Sequence, residues 1–402
     1  MLSRRALATV LQSLLIAELL AARGRGNPDA RLPVHLPPAW PETMQISSAA
    51  GEGLGCDSLE NLWLASAVNE MFHLHEAGGE DELLADATFG AWIERVEAAW
   101  RSGVTSITFT SSGTTGRPKR YTHAADALRT ETAFLGELFQ DRRRVVSLVP
   151  AHHAYGFLFA ALLPDVLGID HVDATKHSPG EIACSLAPRD LVVTFPDRWR
   201  WLERSLPVWP EDIAGVVSTA PCPPDLIAAL NERGLAAMTE VYGSSETAGV
   251  AVRRWPEVSY VLMPHWRFID LIDEDAPEVI HRSGRRLTLP DRIRLRDGNR
   301  FELAGRQDGA VQVGGINVFP DRVAARLRDR PGVRDATVRL MRPEEGARLK
   351  AFIVPAVGAD PTALRIDLYA WIDGALAVVE RPTALTFGLQ LPTGMMGKSA
   401  DW

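Results

Sequence analysis

The chain has 402 residues, of which 46% are hydrophobic and 23% charged; this is a globular composition, long enough for two domains, and it excludes an intrinsically disordered chain. Its formal net charge of -8 argues against non-specific nucleic-acid binding, which needs a basic surface. Cys56, Cys184 and Cys222 are far apart and form no CxxC pair, so neither a disulfide framework nor a zinc site is expected, and a reducing cytoplasm fits.

Arg4 and Arg5 precede an apolar run from Ala6 to Ala22, the order found in signal peptides. Gln12 and Glu18 interrupt that run, which is short for a bilayer, and Leu7, Leu11 and Leu14 recur at helical spacing. The expectation is an amphipathic first helix packed on the protein, with no membrane span and a cytoplasmic location. Residues 23–55 are rich in Pro and Gly and read as loop. Residues 58–100 read as helical, with Leu62, Leu64, Val68 and Phe72 early and Phe89, Trp92, Ile93 and Val96 late.

From residue 104 short β-rich runs alternate with helical stretches. Ser106–Thr110, Val145–Val149, Leu191–Phe195 and Gly215–Thr219 are strand candidates; Asp197–Ser205 and Pro224–Arg233 are helix candidates. This alternation predicts an α/β layered domain. Residues 266–306 read as strands with charged interruptions. Composition shifts near Gly305–Gly315, and a hinge is placed around Arg306–Gly309. Beyond it come a helix over Asp321–Arg330, strands over Asp335–Met341 and Leu349–Val354, a helix over Thr362–Leu376 and a Gly-containing tail.

Thr110-Ser-Ser-Gly-Thr-Thr-Gly-Arg-Pro-Lys119 follows a strand candidate. Small hydroxyl residues and glycines let backbone N–H groups approach a polyphosphate, and Lys119 adds charge. Taken alone, such a loop is as easily an ordinary surface turn. It is not the GxxxxGK[ST] loop, because Gly113 and Gly116 are too close and no Ser or Thr follows Lys119.

This run resembles the phosphate-loop motif (Y/F)TSG(S/T)TGxPKG of the adenylate-forming superfamily, the acyl- and aryl-CoA synthetases, adenylation domains and luciferases, with Arg120 where Gly is common. Further segments resemble that family in the same order. Val241-Tyr-Gly-Ser-Ser-Glu246 is similar to its YGxTE segment; Asp291 stands at its TGD motif without the preceding Thr-Gly. Gly305-Arg-Gln-Asp308 and the later Gly314-Gly315 resemble GRxDxxxKxxG, with Gln312 for Lys. Leu391 to Lys398 resembles LPxxxxGK.

The resemblance implies ATP-dependent activation of a small carboxylic acid to an acyl-AMP, then transfer to the thiol of CoA or of a carrier protein's phosphopantetheine. It implies phosphate contacts from Ser111, Ser112, Gly113, Thr114, Thr115, Gly116 and Lys119. Tyr242, Gly243 and Ser244 would line the adenine pocket, Ser245 would face the α-phosphate, and Glu246 would bind Mg²⁺. Asp291 and Arg306 would contact the ribose and Asp308 would be the pivot. Gly314 and Gly315 would leave room for the pantetheine arm. Lys398 would meet the α-phosphate and the substrate carboxylate.

His152, His153 and Tyr155 stand at the family's segment beside the acyl pocket, with Ser218, Thr219 and Ala220 at its floor; a core role for either His is an equal reading. No Asp stands where amino-acid-activating members hold an ammonium group, which argues against amino-acid substrates; small residues plus aromatics suit a flat aryl acid, which is favoured, or the chain of a fatty acid. Arg322, Arg326, Arg328, Arg330 and Arg334 could meet an acidic carrier protein, although a solvated face explains them as well. The implied architecture is a large N-terminal layered α/β domain with a β-rich portion, residues 1–307, trimmed relative to the family, and a small mobile α+β C-terminal domain, residues 308–402. Gln312 and the incomplete TGD leave an alternative, a catalytically inactive nucleotide-binding regulatory protein of the same fold; Glu246 and Lys398 oppose it.

Overall fold

The computed structural model describes residues 2–24, 36–47, 53–79, 81–111, 119–269, 273–314, 316–342, 344–392 and 402. They form two compact units. One contains the chain up to Arg267 together with Ile280–Arg286; the other contains Phe268–Val279 and Leu287–Trp402.

The first unit begins with α1 (Arg4–Gly24), α2 (Ser58–Phe72) and α3 (Phe89–Arg101). At 21 residues α1 is longer than the apolar run suggested, and by length and composition it could cross a bilayer. Its packing places it in the protein instead. Leu7, Val10, Leu11, Leu14, Leu15 and Leu19 are buried against α2 and α3. At its start Arg4 Nε donates to Glu42 Oε1 at 2.7 Å and Nη1 to Glu97 Oε2 at 2.8 Å. A polar stripe remains outside, as the sequence pattern required. The helix α2 starts on a capping box between Asp57 and Glu60 and stops at His73, which is left-handed at φ +54°.

Next come β1 (Ser106–Ser111) and β2 (Lys119–Ala124), an antiparallel ladder with Ser106 opposite Ala124 and Ser111 opposite Lys119, followed by α4 (Ala125–Leu138). The main sheet contains β3 (Arg144–Ser147), β4 (Asp170–Asp173), β5 (Asp190–Thr194), β6 (Ala214–Val217), β7 (Ala237–Ser244), β8 (Ala248–Arg254) and β9 (Tyr260–Leu262). Within this unit the order is β9-β8-β7-β6-β5-β3-β4. Strands β4 to β7 run parallel through β3, whereas β8 and β9 turn back antiparallel. Every residue of β5 and β6 is buried, which accounts for the apolar runs Leu191–Val193 and Ala214–Val217.

Helix α5 (Pro196–Ser205), packed beside α6 (Pro224–Glu232), lays Trp199 on this sheet, where Trp199 Nε1 donates to the Val216 carbonyl at 3.1 Å. The contact requires glycine at 215: a Cβ there would lie 2.8 Å from Trp199 Cζ2. Gly215→Ala is therefore expected to destabilise the fold by about 1–3 kcal/mol, seen as a lower urea midpoint with an unchanged m-value.

The second unit contains the antiparallel pair β10 (Asp291–Leu295) and β11 (Arg300–Arg306), then the hairpin β12 (Val311–Val313) and β13 (Ile316–Val318). After α7 (Pro320–Arg328) a sheet forms from β14 (Val333–Leu340), β15 (Leu349–Pro355) and β16 (Pro382–Phe387), with α8 (Pro361–Ala375) between the last two. Leu327, Ala336, Ala351, Ile353, Leu368 and Ile372 form its core. The strand β16 lies in the stretch read as a tail. Its burial does not alternate, and it is held by parallel pairing to β15, so local pattern did not reveal it.

Candidate active site

In an open α/β sheet, ligands bind beyond the carboxyl ends of the parallel strands. The candidate residues of the first unit gather there. His152 and His153 follow β3, Ser218 to Ala220 follow β6, and Ser245 and Glu246 follow β7. Tyr155 places its hydroxyl 3.1 Å from the Thr194 carbonyl and 3.2 Å from that of Val216, at the ends of β5 and β6. Ser218 Oγ donates to the Val241 carbonyl at 2.8 Å. The Tyr155 and Ser218 hydroxyls thus brace strand ends.

The turn from β7 to β8 is fixed by its own side chains. Ser244 N–H donates to Thr247 Oγ1 at 2.9 Å and Thr247 N–H donates back to Ser244 Oγ at 3.2 Å. Two outside groups hold its backbone: His123 Nε2 donates to the Ser245 carbonyl at 2.8 Å, and Arg285 Nη2 to the Glu246 carbonyl at 2.9 Å. The Glu246 carboxylate is half-buried. Burial works to raise its pKa, but hydrogen bonds from Tyr121, from its own N–H and from Ser244, with the Lys119 charge, outweigh burial and leave it below the usual glutamate value. Burial, then Glu246 itself, pushes Tyr121 up to about 12, so the phenol stays a donor.

Lys119, Tyr121 and His123 occupy alternate positions of β2 and so share one face, the face turned to Glu246. Sequence reading found Lys119 and missed the other two, because Lys119–Ala124 was not recognised as a strand; the period-two spacing was the available signal. Arg120, on the opposite face, pairs with Glu70.

Behind the turn Glu131 of α4 is 2% exposed and accepts the Gly249 N–H at 3.0 Å on Oε1. A Cβ on Gly249 would lie 2.1 Å from that oxygen, so glycine is required. Burial pushes the Glu131 carboxyl up to about 8. Glu131, His123, His265, His281 and Arg285 border a small cavity of about 60 Å³.

The remaining candidates of this unit are placed as follows. His152 lies 2.9 Å from Ser13 Oγ on α1, and burial, with the neighbouring His153, lowers its pKa to about 3; the ring is neutral. His153 is exposed. Tyr242 is buried against Tyr260, Gly243 is exposed, and Thr219 is exposed at φ +76° with Ala220 half-buried beside it.

In the second unit Asp291 and Arg306 are direct cross-strand partners, so both ribose candidates share one spot. Arg306 also donates to Asp308 twice, Nε to Oδ1 at 2.8 Å and Nη2 to Oδ2 at 2.7 Å, and this pairing holds the Asp308 carboxyl below its usual range. Gly314 turns the β12–β13 hairpin at φ +59°, and Gln312 donates its amide to Asn317. The side chain of Ser111 and residues Ser112, Gly113, Thr114, Thr115, Gly116, Gly315 and Lys398 lie outside the described residues.

The main sheet has a parallel core, and beyond its carboxyl edge Glu246 stands ionised with the Lys119 charge near it; this defines an α/β protein of the open-sheet class, whose ligands bind at that edge. Residues 65–320 match the family described as AMP-binding enzyme. A 4-coumarate–CoA ligase of Halorhodospira halophila is 38% identical over 393 residues, 97% of each chain. A 4-coumarate–CoA ligase of Rhodobacter capsulatus is 37% identical, covering 87% of this chain and 91% of its own. Among solved structures, an o-succinylbenzoate CoA synthetase double mutant of Bacillus subtilis superposes with a TM-score of 0.57 at 18% identity, covering 73% of this chain and 67% of that one; this shows the fold alone.

The chain belongs to the AMP-binding enzyme family, as an AMP-forming acid–thiol ligase. It uses ATP to convert a carboxylic acid to an acyl-AMP and then forms a thioester. The resemblance read from five segments is thereby borne out, and the similarity extends into the first hundred residues.

Proposed function

We propose that the acid is an aryl acid of the hydroxycinnamate class, 4-coumarate first, and that the acceptor is CoA. The names of the two relatives support this choice, as does the absence of an Asp to hold an α-ammonium group. The observation that carries the site assignment is the ionised Glu246 carboxylate facing Lys119 and Tyr121, on the strand that leaves the Ser/Thr-Gly loop.

In the first half-reaction an oxygen of the substrate carboxylate bonds to the α-phosphorus of ATP. The bond from that phosphorus to the bridging oxygen breaks, and pyrophosphate leaves. In the second, the CoA thiol gives up its proton to solvent, its sulfur bonds to the acyl carbon, and AMP leaves with the electron pair of the acyl–oxygen bond. No protein nucleophile is needed; the chain contributes positioning and charge stabilisation. Lys119 and the hydroxyl loop take the phosphates, and Lys398 stabilises charge on the α-phosphoryl group. Glu246 and Ser244 present hard oxygen donors that fit Mg²⁺, which when bound neutralises phosphate charge. Asp291 and Arg306 take the ribose.

The five arginines Arg322 to Arg334 are engaged within their own unit: Arg322 lies over Phe319, Arg326 and Arg330 over Trp371, Arg328 pairs with Asp335 and Arg334 with the Leu389 carbonyl. That favours CoA over an acidic carrier protein. Its need for ATP and CoA supports a cytoplasmic location.

The test is acid-dependent exchange of labelled pyrophosphate into ATP across aryl and fatty acids. Exchange should be fastest with 4-coumarate and fall about 10²–10³-fold in Lys398→Ala. Exchange with fatty acids alone would overturn the substrate proposal; unchanged exchange in Lys398→Ala would overturn the lysine's role.

A further inference from the structure

Away from the carboxyl edge of the sheet, the segment that ends α2 gathers three metal-binding side chains. One ring nitrogen each from His73 and His75 and a carboxylate oxygen of Glu76 lie within 4.8 Å of one another, the one such group of His, Cys, Asp and Glu among the described residues. His73 brings them together: at φ +54° it bends the chain left-handed between α2 and the 3₁₀ turn Leu74–Ala77, a conformation that costs a residue with a side chain on the order of 1 kcal/mol. The two rings then sit 5.6 Å apart, centre to centre.

Both imidazoles are oriented by outer partners. His73 Nε2 is 2.7 Å from Thr108 Oγ1, and Thr108 Oγ1 is 2.7 Å from Thr122 Oγ1. This leaves His73 Nδ1 toward Glu76, 2.9 Å from its Oε1. The acceptor Asn69 Oδ1 stands 3.2 Å from His75 Nδ1 and also takes the His75 N–H at 2.9 Å, so Nδ1 carries the proton and Nε2 has the free lone pair. Rings whose second nitrogen is fixed by a hydrogen bond are characteristic of metal ligands.

We propose that His73, His75 and Glu76 form a binding site for a borderline divalent cation of the Zn²⁺ class, separate from the nucleotide site. Two imidazoles and one carboxylate suit Zn²⁺, with a fourth position left for water, whereas Mg²⁺ prefers oxygen donors and its own hydration shell. The ion takes the place of the proton between His73 and Glu76. It thereby ties the end of α2, through Thr108 and Thr122, to the β1–β2 ladder that carries Lys119 and Tyr121.

The test uses full-length, tag-free protein stripped of metal and titrated with Zn²⁺ by calorimetry, and with Co²⁺ by visible absorption. One Zn²⁺ per chain is expected, with an affinity that excess Mg²⁺ does not compete away, ligand-field bands from Co²⁺, and a Tm that rises with free Zn²⁺ by linkage. His75→Ala and Glu76→Gln change exposed side chains, so they should fold and weaken Zn²⁺ binding at least tenfold. Thr108→Val should weaken it about 10–100-fold through the outer partner alone. Absence of binding at about 100 μM free Zn²⁺, or binding to His75→Ala and Glu76→Gln with wild-type affinity, would overturn the proposal.

Discussion

Glu246→Gln is expected to slow acyl-AMP formation by about 10²–10³-fold while leaving the fold intact. The substitution keeps the size of the side chain and one acceptor oxygen, and it removes the charge that Tyr121, Ser244 and Lys119 hold in place. If Glu246 serves the metal, the loss should be partly recovered by raising Mg²⁺, because a weaker ligand shifts occupancy before it abolishes it. Tyr121→Phe should act in the same direction and more weakly. It deletes one hydrogen bond to a charged group, typically about 1.5–3 kcal/mol, and lets the Glu246 pKa rise, so the low-pH limb of the exchange rate should move to higher pH. Pyrophosphate exchange as a function of Mg²⁺ and pH checks both variants. An unchanged Mg²⁺ dependence in Glu246→Gln would remove the carboxylate from the metal site.

The second large effect concerns stability. The Glu131 carboxyl lies in the wall behind the Glu246 turn, and burial raises its pKa from 4.5 to about 8. Below about pH 4 both the folded and the unfolded chain hold this proton, and its contribution is fully present. Between about 4.5 and 8 the unfolded chain has released the proton and the folded chain has not, so stability falls as pH rises; above 8 the loss is complete. At 1.36 kcal/mol per unit the loss is on the order of 5 kcal/mol at most. Glu131→Gln retains an acceptor for the Gly249 N–H and cannot ionise. It should therefore be more stable than the wild type at pH 8.5 by up to that amount, and the difference should vanish near pH 4. Urea midpoints at the two pH values measure it. A parallel pH dependence in wild type and variant would show that Glu131 is not the group responsible.

Much of the candidate site was legible because it is carried by contiguous backbone. A glycine-rich hydroxyl loop, a Tyr-Gly-Ser-Ser-Glu turn and a Gly-Arg-Gln-Asp segment each need particular residues in sequence, so each leaves a local mark. The buried strands β5 and β6 were visible for a similar reason: parallel strands covered on both faces carry apolar runs such as Leu191–Val193. The helix α8 and the strands β14 and β15 appeared within a few residues of their expected bounds.

What the amino-acid sequence determined by itself was the alternation of strands and helices, the family, and the identity of residues such as Glu246 whose neighbours along the chain announce them. Tertiary structure alone decided that α1, long and apolar enough for a membrane, is instead tied down by Arg4 and packed on α2 and α3. It also decided that His123 reaches across 122 positions to hold the Ser245 carbonyl, that Tyr121 keeps Glu246 charged, and that Glu131 braces Gly249 from 118 positions away. Local pattern records the period of a helix or strand and the special backbone of a turn. It carries no record of which distant side chain will arrive opposite, because that is set only when the layers pack.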